Sequence, residues 1–198
     1  HLMAIGFFMQ DLGTLGTPLM YCFRTRERIL DLFEMLCGAR VTVSYSRPGG
    51  VFFDAPAEFW PALDSFMRVF RSEFREIEQL VLENEIVMVR TRGVSVLPLD
   101  LAINNSVSGP PLRASGLAWD WRKMDPYDAY DRVEFDVPVG ATGDNYDRFW
   151  VRMQEIHQSA RIIEQCVKQI EPGPVREVLP MVLRPEPGAE AYSRVEAS

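Results

Sequence analysis

The stretch that decides the fold is Asp144–Ile170, DNYDRFWVRMQEIHQSARIIEQCVKQI. Its apolar residues Tyr146, Phe149, Trp150, Met153, Ile156, Ala160, Ile163, Val167 and Ile170 recur mostly every three or four residues, which places them on one face of a helix. Asp144 stands where a side-chain oxygen caps the first free N–H groups, and Pro172-Gly173-Pro174 stops the run. Working outward, a second helix is expected from Pro56, with Phe59, Leu63, Phe66, Met67, Phe70, Phe74, Ile77 and Val81 on one side. Pro61 falls near its first turn, where a missing N–H costs little. A third is expected over Leu19–Cys37, with Phe23, Ile29, Leu30, Phe33, Met35 and Leu36 against a charged face and Gly38 as its stop.

The remainder is shorter and less regular. Leu2–Met9 is apolar all round, so as a helix it is expected to be buried. Two Gly and a Pro between Asp11 and Pro18 break it. Val41–Tyr45 alternates like a short strand, turned by Pro48-Gly49-Gly50, and Ile86–Val96 reads as extended or as a short helix. Residues 98–143 are too long and aperiodic for an ordinary connection. The expected fold is mainly α: three long helices, small β elements and a long irregular loop region. Residues 1–175 form the helical part and 176–198 an extended, proline-rich tail.

The 198 residues suffice for one core, and 47% hydrophobic with 25% charged residues is globular composition. A net charge of −7 without a basic tract disfavours a general nucleic-acid binder. The cysteines, Cys22, Cys37 and Cys166, have no CxxC or CxxH spacing and read as buried thiols, not as a disulfide frame or metal knuckle. No apolar run approaches the roughly 18–20 residues a bilayer requires. The opening on His1 and the close on Ser198 both look cut; processing, proteolysis or a gene in pieces would each produce this.

Chemistry-bearing residues are few. His1 and His157 lack ligands at metal spacing and read as packing or surface groups. No nucleotide, phosphate or hydrolase motif occurs. The segment SGPPLRASGLAWDWRK, 108–123, is too irregular for a helix face. Its arginines and those that follow (Arg113, Arg122, Arg132, Arg148) meet seven aspartates between 120 and 147, which reads as carboxylate clamps on loops, with Trp119, Trp121, Tyr127 and Tyr130 as mass between them. Asp11 has two readings. It either faces solvent and bonds a turn N–H, or it is a proton-handling acid in an apolar pocket of Phe7, Phe8, Leu12, Leu15 and Met20.

Several words in order complete the picture: DLGTLGTP at 11–18, FRTRERILDLFE at 23–34, GAR at 38–40, YSRPGGV at 45–51 and DAP at 54–56. SGPPLRASGLAWDWRK at 108–123, PYDAYDRVEFDVPVGATGDNYDR at 126–148, VRMQEIHQSARIIEQ at 151–165 and GPV at 173–175 follow. Together they resemble the D-type, quinone-site subunit of proton-pumping NADH:quinone oxidoreductase, respiratory complex I, itself related to the large subunits of nickel–iron hydrogenases. The resemblance covers the central portion of that family. It implies a hydrogenase-like helical core, a subunit split into pieces, and an oxidoreductase role within a complex and not alone.

The resemblance assigns Asp11 as the acid that pairs with a quinone-site histidine supplied from outside the chain, and Phe7 and Met20 as cavity lining. Thr42 falls where the family usually carries a histidine near the terminal iron–sulfur cluster of a neighbouring subunit. Gly16, like an insertion, and Asn104–Val107 are further departures. The chain itself is expected to bind no metal or cofactor; quinone sits at a shared site, while the cluster and NADH belong to partner subunits. The implied placement is peripheral: first the matrix side of the mitochondrial inner membrane, second a bacterial cytoplasmic membrane. The competing functional reading is a structural or assembly fragment of the same complex, motivated by Thr42 and both ends. A stand-alone hydrogenase lacks its metal cysteines.

Overall fold

The computed structural model describes residues 1–14, 16–82, 84–180, 182 and 184–196. Its elements, in order, are α1 (Leu2–Asp11), α2 (Thr17–Cys37), β1 (Ser46–Arg47), β2 (Gly50–Val51), α3 (Phe59–Val81), α4 (Glu85–Thr91), α5 (Leu99–Asn104), α6 (Gly109–Ala114), α7 (Trp121–Met124), a 3-10 turn (Tyr130–Arg132) and α8 (Asn145–Gln169). The mainly α class holds, and α2, α3 and α8, at 21, 23 and 25 residues, are the three long helices.

The core is where α1, α2, α3 and α8 meet. Phe66, Phe70 and Phe74 of α3 form a ladder with ring centroids 5.3 and 5.8 Å apart. Ile77 and Val81 extend it, with Met153 and Ile156 of α8 and Ile5 and Met9 of α1 buried alongside. Burying each such side chain contributes about 1.5–3 kcal/mol relative to leaving it in water. Polar pins fix the register. Buried Glu73 of α3 accepts from Thr25 and pairs with Arg28 of α2 at 3.2 Å, and His157 of α8 meets Glu78 of α3 at 2.6 Å.

α1 folds back antiparallel on α2. Gly6 permits this: a Cβ there would meet Leu19 Cδ1 at 3.0 Å and Cys22 Cβ at 3.3 Å. α2 ends on Gly38 in the left-handed conformation, φ 72°, as its place in the sequence predicts. Asp144 caps α8 by accepting from the Asp147 N–H.

Four expectations are corrected. α1 is not buried all round: Leu2, Ile5, Gly6 and Met9 face inward, while Met3, Ala4 and Phe7 are exposed. Of the expected α2 stripe, Leu30 is buried and Ile29 and Leu36 pack on the core, joined by Cys22, Thr25 and Leu32, while Phe33 and Met35 are exposed. Val41–Tyr45 is not a strand; the two-residue ladder lies just beyond it, Ser46 opposite Val51 and Arg47 opposite Gly50. The segment 108–123 contains α6, whose Pro110 and Pro111 occupy the first turn, where helix N–H groups have no partner anyway.

The irregular region is held without a sheet. Gln165 of α8 brackets Glu134, accepting from its N–H at 2.8 Å and donating to its carbonyl at 2.6 Å. One turn or two away, Gln158 accepts from the Asp136 N–H and Gln169 donates to the Arg132 carbonyl. The tail starts as an extended piece against the hairpin, Val51 N–H to Val175 carbonyl at 3.1 Å and Glu177 N–H to Gly49 carbonyl at 3.0 Å.

Candidate functional site

Asp11 is the last residue of α1, and the end of that helix is closed by two fastenings. The Thr14 hydroxyl donates to the Met9 carbonyl at 2.6 Å, and Arg90 of α4 donates to the Leu12 carbonyl at 2.7 Å. A cation on the last carbonyls satisfies groups that the helix leaves free and suits its negative pole. Asp11 therefore sits on a fixed corner.

That corner borders an open groove of about 310 Å³ between α1 and the start of α8, lined by Ile5, Phe7, Phe8, Asp11, Asn145, Arg148, Phe149 and Arg152 among others. Phe8 stacks on Phe149 at 5.1 Å and forms the apolar floor; Phe7 packs edge-on against Phe23 at 5.7 Å, with half its surface exposed. Asp11 itself is exposed, so of its two readings the apolar burial is corrected for this chain. The helical period explains it: Ala4, Phe7 and Asp11 fall on the outward face, away from Ile5 and Met9. Leu15, counted among its apolar neighbours, lies outside the described residues.

The other assigned residues separate. Met20, two-thirds exposed in the first turn of α2, is not among the residues that line the groove. Thr42 lies past the opposite end of α2, which at 1.5 Å per residue is roughly 30 Å away from the Asp11 end. Thr42 is exposed, and its backbone is left-handed, φ 58°, an outlier for a β-branched residue; its hydroxyl donates to the Val41 carbonyl at 2.6 Å.

The sequence names Arg113 as a clamp on nearby aspartates, but its closest carboxylates are distant glutamates. Arg113, 1% exposed, donates to Glu155 at 2.7 Å, to Glu196 at 2.7 Å and to the Trp119 carbonyl at 2.9 Å, with Asp120 at 3.9 Å. Glu196 also accepts from the Trp121 N–H at 2.7 Å, which ties the tail to this cluster, and His1 reaches Glu155 at 2.8 Å. Arg122 grips Asp120 through two nitrogens, as the clamp reading expects. Burial alone would raise the Asp120 carboxyl; Arg122's hydrogen bonds and charge, with the charge of Arg113 behind them, outweigh burial and hold it below its ordinary value. Arg113's partners lie 42 and 83 residues distant, and a Glu beside Met153 and Ile156 on the apolar side of α8 is the one signal that pointed to them.

Arg148 departs from the clamp reading. It donates to the Gly143 and Ser95 carbonyls, not to an aspartate, while Asp147 accepts from the N–H groups of residues 141, 142 and 143. Burial would raise Asp147, and the hydrogen bonds of Thr142 and its neighbours outweigh it and hold the carboxyl low.

Among the described residues, no three His, Cys, Asp or Glu side chains are grouped to hold a metal, and no helix is long and apolar enough to cross a membrane. Cys22 is buried, Cys37 half-buried and Cys166 exposed, each free. Burial pushes the Cys22 thiol up to about 11, far from a thiolate ligand. These cysteines do not fit an iron–sulfur cluster.

Comparison with known proteins agrees with the motifs. Residues 11–198 match the family of the respiratory-chain NADH dehydrogenase, 49 Kd subunit. Over 196 residues the chain is 50% identical to the NADH-quinone oxidoreductase D subunit of Dehalococcoides mccartyi strain 195, covering 99% of this chain and 53% of that protein. The D 1 subunit of the same enzyme from Roseiflexus sp. RS-1 is 45% identical over 205 residues, covering 100% of this chain and 54% of the relative. The D subunit from Desulforamulus reducens is 45% identical over 198 residues with the same coverage. The chain thus spans about half the length of the curated relatives it matches. With long motifs in register and matches over nearly its whole length, the chain belongs to the family of the respiratory-chain NADH dehydrogenase 49 Kd subunit.

Proposed function

We propose that this chain forms part of the quinone-reduction chamber of a proton-pumping NADH:quinone oxidoreductase, with Asp11 as its proton-handling acid. Reducing a quinone to a quinol takes two electrons and two protons. Asp11 gives one of those protons by way of a histidine that the rest of the assembly brings to it and is reprotonated from water, and the second proton comes from water in the chamber. The electrons come from an iron–sulfur cluster held by a neighbouring subunit, and NADH is oxidised in a further one. Phe7 and Met20 line the chamber; Thr42 faces the cluster.

The observation that supports this best is that Asp11 and Phe7 border one open groove on a helix end that Arg90 and Thr14 fix. An exposed carboxylate on a rigid corner has a free side to receive a partner's imidazole. Because α2 separates Asp11 from Thr42 by roughly 30 Å, the chamber runs along α2 from cluster to acid. Residues 176–198 serve as the subunit's extended arm. The subunit works on the aqueous side of an energy-transducing membrane; the mitochondrial matrix side is the first placement, and the bacterial relatives support the cytoplasmic face of a bacterial membrane instead.

Asp11→Asn tests the acid's role. In the assembled complex, quinone reductase turnover should fall about 100-fold or more, the scale of general acid–base catalysis. Near-normal turnover removes the role and favours a scaffold piece. Thr42 gives a second check. Without the family's histidine, the cluster's potential should shift little with pH, and Thr42→His should restore a slope; a wild-type slope already at full size rejects the placement.

A further inference from the structure

The groove beside Asp11 holds an imbalance of charge. Arg148 and Arg152 lie one turn apart on α8, both half-buried, and both line it. Arg148 spends its donors on the Gly143 and Ser95 carbonyls and on Asn145. The Arg152 side chain makes a single hydrogen bond among the described residues, to the Arg148 carbonyl at 2.8 Å, although a guanidinium carries five N–H donors. Among the described residues neither is in a salt bridge, whereas Arg113 of α6 and Arg122 of α7 each hold carboxylates.

The acids nearby are already engaged. Glu155 is shared between Arg113 and His1. Asp144 caps α8 and accepts from the Gly93 N–H, and Asp147 collects the backbone donors of residues 141–143. Asp11 borders the groove but forms no ion pair with either arginine. Burial holds both guanidinium groups below their ordinary value; the charge of Glu155 opposes this at Arg152, and the charges of Arg148 and Arg113 reinforce it. A half-desolvated cation that lacks a counter-ion is costly, and folded assemblies pair it.

We propose that Arg152, flanked by Arg148, is the receptor for a carboxylate side chain from the part of the 49 Kd subunit that lies outside these 198 residues. The occupant is an Asp or Glu because the site offers forked N–H donors and net positive charge in a chain whose total is −7. It comes from the remainder of the subunit because the relatives are nearly twice as long as the matched region. An open groove of about 310 Å³ between packed helices has room for a side chain of a partner segment. The proposal rests on family membership alone and stands or falls independently of the quinone reading.

Arg152→Lys in the assembled complex tests it. Carbodiimide joins a lysine amine to a carboxylate only when the two form a close ion pair, and mass spectrometry then identifies the partner peptide. The expected product links Lys at 152 to an Asp or Glu in the other half of the subunit, whether that half is the same polypeptide or a separate one. A link to Asp11 or to another acid of this chain, a link to a different subunit, or no link in an assembled complex overturns the proposal. Should Arg152→Lys fail to assemble, Arg148→Lys carries the same reaction one turn away, with the same outcomes deciding. Arg152→Glu should reduce recovery of the complex at least tenfold; unchanged recovery also counts against it.

Discussion

Two arginines that both feel the charge of Glu155 on α8 show how this chain divides its charges. Arg113 is wholly buried, and its donors meet Glu155, Glu196 and the Trp119 carbonyl. Arg152 is half-buried and bonds one carbonyl of its own helix. The first is satisfied internally and belongs to the scaffold. The second, sharing a groove with Asp11 and Phe7, holds no carboxylate among the described residues and is the one proposed to receive a partner's. Completed charge marks what holds the fold, and incomplete charge marks where the assembly and its chemistry attach.

Stability measurements can break that division. Arg113→Met removes the cation from three buried or nearly buried acids and should cost about 3–5 kcal/mol, read by denaturant unfolding of the assembled protein. A loss under 1 kcal/mol would mean that the cluster is not scaffold. Gly6→Leu should be next, at about 1–3 kcal/mol, because it forces α1 off α2. Gly6→Ala should be near neutral, since a helix-propensity gain of about 1 kcal/mol offsets the 3.0 Å approach to Leu19. Equal behaviour of the two variants would show that the helices do not pack there as described.

The smallest effect is acid titration. Asp120 and Asp147 are both held below the ordinary 3.8 in the folded chain. A carboxyl depressed on folding contributes stability that is fully present above the unfolded value and lost as pH falls through the folded one. Stability should hold above about pH 5 and decline below about pH 4; Asp120→Asn should flatten part of that decline, and an unchanged slope would place the acid sensitivity elsewhere.

Much of the scaffold was legible because its signals are local. The stripe of α8 with its Asp144 cap, the phenylalanine ladder of α3 and the Gly38 stop all lie within a turn or two of the residues they govern. Val41–Tyr45 misled because alternation describes a strand only when something covers one face, and Val41 and Val43 are both exposed. The prolines of α6 misled because a breaker at position five of a helix is harmless at position one. One of the two readings of Asp11 placed it in an apolar pocket because its apolar neighbours are close in sequence, yet the helical period turns Ile5 and Met9 inward and Asp11 outward. Arg113's partners and Arg152's lack of them are tertiary facts, set by which residues 42 or 83 positions away arrive first.

Asp11 carries the functional account, and one comparison tests it most directly. In an assembled complex bearing Asp11→Asn, NADH oxidation by an artificial electron acceptor and reduction of quinone are measured side by side. The first should match wild type and the second should fall about 100-fold or more, with Asp11→Glu recovering part of the loss. Equal, undiminished rates in both assays would contradict a proton-handling acid at the end of α1.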